Sequence, residues 1–178
     1  MSTATATAPS GTAVTQEFED LFNEHAQLVY RTAYGVTGRH EDAEDVLQTI
    51  FLRLMRRDFP PDLVRNPKAY LYRAAVNLSL DTLRLHRRHV LVDAAALSDF
   101  PAPATQLTDD DNHRRLYRAI AELTPEAAQI LILRYVHGRS DAEIAGMLGM
   151  SRGAIALRLF RSRAKLRKLL RGRLGGAS

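Results

Sequence analysis

The sequence predicts an all-α protein made of two small helical domains joined by a flexible linker. Three observations lead there. Apolar residues recur at three- and four-residue spacing along most of the 178 residues. Helix-starting signals punctuate the pattern at Asn66-Pro67, Thr124-Pro125 and Ser140 with Glu143. No segment alternates apolar and polar residues as a half-buried strand does.

Met1 to Gln16 is Ala/Thr-rich, with little to bury, and is expected to be a disordered tail. From Glu17 a first helix carries Phe18, Leu21, Phe22, Leu28, Val29, Ala33 and Val36 on helical spacing, broken by Gly35 and Gly38. A second opens with acids in its first turn, where they complement the helix dipole, and buries Val46, Leu47, Ile50 and Leu54 before closing on Arg56 and Arg57. Asp58 to Arg65, with two prolines, is expected as a loop. Asn66 then caps a long helix through Tyr70, Leu71, Ala74, Leu78 and Leu85. Residues 17–89 form the first domain.

Periodicity lapses over residues 90–112, where Pro101 and Pro103 fall, and this stretch is longer than connections within compact domains usually are. It is expected to be the linker. The second domain, residues 113–171, is entered through a capping-box pattern at Thr108 and Asp111, and its helices run through Leu116 to Leu123, from Thr124 to near Gly138, from Asp141 to Leu148, and from Ser151 to about Leu170. Residues 172–178 are a Gly-rich flexible tail.

Charge follows the same divisions. The formal total of +5 hides blocks of −5 over residues 17–62, +5 over 63–89, −5 over 90–112 and +10 over 113–178. The last 28 residues hold nine bases and no acid. One basic run alone fits a solvated helix face. Two basic surfaces flanking an acidic spacer suggest a polyanion bound at two places.

The sharpest constellation is Ala145, Gly149 and Ile155. A helix-turn-helix needs a small residue where its helices approach, glycine where the turn goes left-handed, and a branched apolar residue packing back on the first helix. With Ile155 inward, Leu159, Ser162, Leu166 and Leu169 fall beside it, and Ala154, Leu157, Arg161 and Lys168 point more outward. Ser151, Arg152, Ala154, Leu157, Arg158 and Arg161 are the candidate DNA contacts there.

These residues carry a family resemblance. Leu123-Thr124-Pro125, Leu133-Arg134-Tyr135, Glu143-Ile144-Ala145, Leu148-Gly149 and Arg158-Leu159-Phe160-Arg161-Ser162-Arg163 resemble region 4 of the bacterial sigma-70 family, in its extracytoplasmic-function (ECF) group. Asp42-Ala43-Glu44-Asp45-Val46-Leu47-Gln48, Phe51-Leu52-Arg53-Leu54 and Tyr70-Leu71-Tyr72-Arg73-Ala74-Ala75-Val76-Asn77 are similar to region 2. The two resemblances stand in the family's order, with the linker between them. The resemblance implies a protein that binds core RNA polymerase, directs it to −10 and −35 promoter elements, starts DNA opening, and is held by an anti-sigma protein. It implies polymerase docking through Asp42, Glu44, Asp45 and Gln48. The acids also suit a helix N-terminus, but Gln48 lies beyond the first turn. It implies a flipped −10 base held between the Asp58–Asn66 loop and the long helix, with Asn77 in the pocket and Arg73, Arg84, Arg87 and Arg88 on the backbone. Tyr70 and Tyr72 suit either stacking on bases or packing.

Two departures stand out. Tyr70 replaces the family's usual Trp, conserving aromatic bulk. The family's common Thr-Val-Lys-Ser-Arg reads Ala154-Ile155-Ala156-Leu157-Arg158, which shifts −35 recognition toward phosphates, thymine methyls and DNA shape.

Other classes fare worse. With no Cys there is no disulfide, thiolate zinc site or Cys nucleophile, and a reducing cytoplasm is the expected home. No stretch approaches the ~20 apolar residues of a membrane span, and Met1 to Gln16 lacks a signal peptide's features. The six His show no metal-binding spacing and no phosphate loop or nucleophile elbow occurs, so no metal, cofactor or catalysis is expected. A stand-alone helix-turn-helix regulator is the remaining rival; it would share only the second half.

Overall fold

The computed structural model describes residues 11–56, 59–96 and 109–171. Among them are eight helices and no strand: α1 (Gly11–Thr37), α2 (His40–Met55), α3 (Pro61–Arg65), α4 (Pro67–Ala96), α5 (Asp109–Ala121), α6 (Pro125–Tyr135), α7 (Asp141–Leu148) and α8 (Arg152–Arg171). The expected tails, Met1–Ser10 and residues 172–178, lie outside the described residues, as do Thr108 with its capping box and the Pro101 and Pro103 stretch.

The first domain is a bundle of α1, α2 and α4 closed at one end by α3. Its core joins Val29 and Ala33 of α1, Val46, Ile50, Phe51 and Leu54 of α2, Leu63 of α3, and Leu71 and Ala75 of α4. Each large side chain buried this way contributes about 1.5–3 kcal/mol. Phe51 also meets the edges of Phe18 and Phe22, with centroids 6.0 and 4.8 Å apart. The long helix α4 starts as its sequence signals: Asn66 Oδ1 accepts from the Ala69 amide at 3.0 Å and Pro67 follows at the first helical position.

Boundaries differ from expectation in four places. α1 begins at Gly11 rather than Glu17, taking the end of the expected tail, and Gly35 lies inside it rather than breaking it. The 58–65 loop contains the short helix α3, which starts at Pro61 and buries Leu63 against the core. α4 continues to Ala96 and α5 starts at Asp109, so both ends of the expected 90–112 linker are helical. Helix propagation, once nucleated by a packed neighbour, needs only one more hydrogen bond per residue, so periodicity alone places such ends poorly.

The two domains pack against each other. Val36 of α1 and Tyr72, Val76 and Leu80 of α4 share one buried cluster with Ile120, Leu123, Ile130 and Ile144 of the second domain. Each of the four first-domain residues is wholly inaccessible to solvent.

Candidate nucleic-acid and polymerase interfaces

The helix-turn-helix is built from local chemistry. Ser140 Oγ accepts from the Glu143 amide at 3.3 Å, and Glu143 Oε2 accepts from the Ser140 amide at 2.8 Å. That reciprocal cap starts α7. The Ser140 amide, then the Arg139 and Ser140 side chains, hold the Glu143 carboxyl down at about 2. α7 ends on Gly149 with φ 68°, its N–H bonded to the Ala145 carbonyl, and the Met150 amide reaches the same carbonyl at 2.9 Å. This left-handed stop turns the chain into α8, where Ser151 Oγ accepts from the Ala154 amide at 3.2 Å.

Ile155, Leu159 and Ser162 of α8 are buried, and the first two share the core with Ile144 and Ala145 of α7. The opposite face shows Ser151, Arg152, Leu157, Arg158 and Arg161 to solvent, with Ala154 half-buried. Leu157 is 48% and Phe160 71% exposed, large apolar side chains on an otherwise basic helix. Arg163 lies 5.7 Å over the Tyr135 ring, which orders one end of this surface.

In the first domain a cleft of about 210 Å³ opens between α2 and α4. Ile50, Leu54, Ala74 and Leu78 give it apolar walls, and Arg53, Tyr70, Asn77 and Asp81 supply aromatic and polar groups. It is smaller than the roughly 300–1,000 Å³ of drug-sized sites. Asn77 is exposed at its rim. Tyr70 and Tyr72 divide the roles left open by the sequence: Tyr70 lines the cleft, and Tyr72 is fully buried with its hydroxyl bonded to the Gln129 carbonyl. Arg53 joins the set although the sequence did not mark it. It lies on α2, and only packing of α2 on α4 brings it beside Asn77.

The basic residues of α4 divide as well. Arg73 is half-buried and Arg88 exposed, while the side chain of Arg87 lies outside the described residues. Arg84 is committed elsewhere: its Nε and Nη2 donate to the Ala121 and Leu123 carbonyls at 3.3 and 3.2 Å, and Nη1 reaches Asp81 at 3.3 Å. The Ala121 carbonyl lies at the end of α5, where helix acceptors lack internal partners, and the Leu123 carbonyl lies just beyond it.

The acidic set on α2 also splits. Glu44, Asp45 and Gln48 are not enclosed by the bundle: the two acids are exposed and Gln48 lies beside them one turn on. Asp42 is turned inward and only 6% exposed, a correction to its expected place on the docking face. Its Oδ2 lies 3.5 Å from His86 Nδ1 on α4 and 3.9 Å from Arg39 Nε, without a hydrogen bond among the described residues. Asp42 therefore faces the seam between α2 and α4 rather than the docking face.

Comparison with known proteins finds two family models matching along the chain. Residues 21–89 match the family model for Sigma-70 region 2, and residues 113–166 that for Sigma-70, region 4. The chain is 37% identical to the RNA polymerase sigma factor CarQ of Myxococcus xanthus, over 86% of this chain and 88% of that one. It is 30% identical to the ECF RNA polymerase sigma factor SigE of Mycolicibacterium smegmatis, over 91% of this chain and 68% of the relative. In fold it resembles the sigma factor RpoE of Bartonella quintana, solved in complex with the anti-sigma factor NepR, with a TM-score of 0.50, 22% identity, and coverage of 88% of this chain and 98% of that one. With both regions in order on one chain, the protein belongs to the sigma-70 family and is an RNA polymerase sigma factor of its ECF group.

Proposed function

We propose that this sigma factor docks on core polymerase through Glu44, Asp45 and Gln48, holds a flipped −10 base in the α2–α4 cleft at Asn77, and reads the −35 element with α8. Domain limits near residues 17–89 and 113–171 follow from the same reading. The observation that carries it is the cleft: an exposed Asn77 and an aromatic Tyr70 stand at a pocket below drug-site size whose apolar walls are joined by Arg53 and Asp81. Unstacking one base costs a few kcal/mol, which such a pocket and its arginine offset. At the other end, Arg152, Arg158 and Arg161 supply phosphate contacts, and Leu157 and Ala154 suit thymine methyls.

Sigma factors direct initiation without being enzymes, and we assign no catalysis, metal or cofactor to this chain. No described helix is long and apolar enough to cross a membrane, and we place the protein with polymerase in the cytoplasm. Because the Bartonella quintana structure was solved with an anti-sigma factor, we extend a partner of that class to this chain. The region 2 match disfavours the stand-alone regulator, which has no use for such a domain.

Promoter-specific initiation by bacterial core polymerase supplied with the purified protein is the test. Asp45→Lys should lower initiation at least ~10-fold by weakening core binding, corresponding to about 1.4 kcal/mol. Asn77→Ala should leave core binding intact and lower open-complex formation. Equal initiation by wild type and both variants would overturn these site assignments.

A further inference from the structure

The outer side of α8 carries a second apolar stripe. At about 100° per residue, Gly153, Leu157, Phe160 and Ala164 fall on the side of the helix opposite Ile155, Leu159, Ser162 and Leu166. The inner four are buried or half-buried, three of them in the domain core, and the outer four are exposed. A helix on the surface of a domain ordinarily gives that side to polar residues. Here Leu157 is 48% and Phe160 71% exposed, and no side chain of the stripe has a hydrogen-bonding group. Gly153 adds bare backbone to it. A Cβ there would meet no atom within 4 Å, so nothing inside the protein asks for glycine at a helical position that alanine would strengthen.

Cations stand on both flanks of the stripe. Arg161 and Lys165 are exposed on one side and Arg163 and Arg167 on the other, and the helix has no acid. Arg163 is held over the Tyr135 ring at 5.7 Å. An apolar ridge between two basic flanks matches the major groove of a duplex. That groove is about 12 Å wide with a phosphate backbone on either side, and a helix with its side chains is about 10–12 Å across. The apolar group displayed on its floor is the C5-methyl of thymine. Ser151, the polar residue at the amino end, has its Oγ engaged by the Ala154 amide.

We propose that Leu157 and Phe160 determine the −35 specificity of this chain by packing on the methyl groups of two nearby thymines, while the flanking cations hold phosphates of both strands. The proposal rests on the reading of α8 as the −35 reader and names the chemistry of that reading. Residues three apart on a helix are about 4.5 Å apart along its axis, and successive base pairs about 3.4 Å. The two side chains therefore meet methyls about one or two base pairs apart. A contact of this kind senses the methyl and ignores the hydrogen-bonding edge beside it. Losing one methyl-sized apolar contact costs about 4-fold in affinity, and 5-methylcytosine should replace thymine better than cytosine does.

Holoenzyme assembled from the full chain and bacterial core polymerase tests this on a promoter selected from a library randomised across the −35 element. The selected element should carry two thymines at that separation. Replacing either by deoxyuridine, which removes only the methyl, should weaken promoter binding about 4-fold, and 5-methylcytosine should bind about 4-fold better than cytosine at the same position. Leu157→Ala and Phe160→Ala change exposed side chains and keep the fold. Each should erase the difference between thymine and deoxyuridine at one of the two positions. Equal binding of thymine and deoxyuridine promoters by wild type, or a thymine preference that survives both substitutions together, would overturn the proposal. Weaker core binding by the two variants, with the thymine preference intact, would place the stripe against polymerase and overturn it as well. A holoenzyme that initiates yet selects no −35 sequence at all would instead refute α8 as the −35 reader, and the proposal with it.

Discussion

His137 shows how one side chain couples the two domains. Thr32 gives its hydroxyl proton to the Leu28 carbonyl at 2.7 Å, so toward His137 it can only accept, and His137 Nε2–H is the donor. The imidazole also stands edge-on to Tyr72, with centroids 5.8 Å apart. Burial, then Arg31, Arg139 and Lys68, lowers its pKa to about 4. An imidazole freed by opening of the interface between the domains returns toward its ordinary value of about 6.5. Between these values the open form takes up a proton that the closed form refuses, so closure is at full strength above about 6.5 and weakens as pH falls toward 4. Radius of gyration measured at about pH 7.5 and pH 5, either side of the free imidazole's titration, should rise at the lower pH. His137→Gln should flatten that change; a rise that survives the substitution places the titration elsewhere. Glu143 is silent in this window. Its carboxyl is held at about 2, so the α7 cap persists until far lower pH. Ser140 and Glu143 were legible because they are three residues apart. Thr32 and His137 are 105 residues apart, and neither carries a mark of the other.

At the scale of an element, α7 depends on its surroundings. Eight residues fall below the ~12–15 at which an isolated helix becomes even marginal, so α7 exists by its caps and by packing on α8. Gly149→Ala would meet no atom within 4 Å, leaving only the cost of φ 68° on an L-residue, about 1–2 kcal/mol. Ile155→Ala empties a fully buried site and should cost about 2–5 kcal/mol. Chemical denaturation of the full chain should rank them in that order. A larger loss at Gly149 would mean that the turn, rather than the core, governs the motif. This element was almost wholly legible, since cap, turn and inward face all lie within 23 residues of sequence from Ser140 to Ser162. Gly35 is the contrary case. Its spacing suggests a helix break, but it continues α1 and makes room for Val136 from the other domain.

For the whole molecule, the total of +5 is a cancellation among surfaces with different duties. α8 has no acid, so its contribution to DNA affinity should be strongly salt-dependent. Arg158→Ala or Arg161→Ala in the full chain should reduce the slope of log affinity against log salt on a −35 duplex by up to ~1 for each phosphate that is no longer neutralised. An unchanged slope would mean that the arginine faces solvent or protein. Within the sequence, periodicity, caps and charge blocks determined the helical class, the helix-turn-helix with its buried Ile155 and exposed arginines, and the resemblance that led to sigma regions 2 and 4. These depend on neighbours a turn or two apart, where residue type and backbone geometry suffice. Only the tertiary structure decided that Asp42 turns inward to His86, that Arg53 joins Asn77 at one cleft, that Arg84 holds the carbonyls of Ala121 and Leu123, and that the domains close on Tyr72, Val76 and Leu80. Each of those depends on which helix faces lie against one another, and a helix's own apolar stripe says that it will be covered without saying by what.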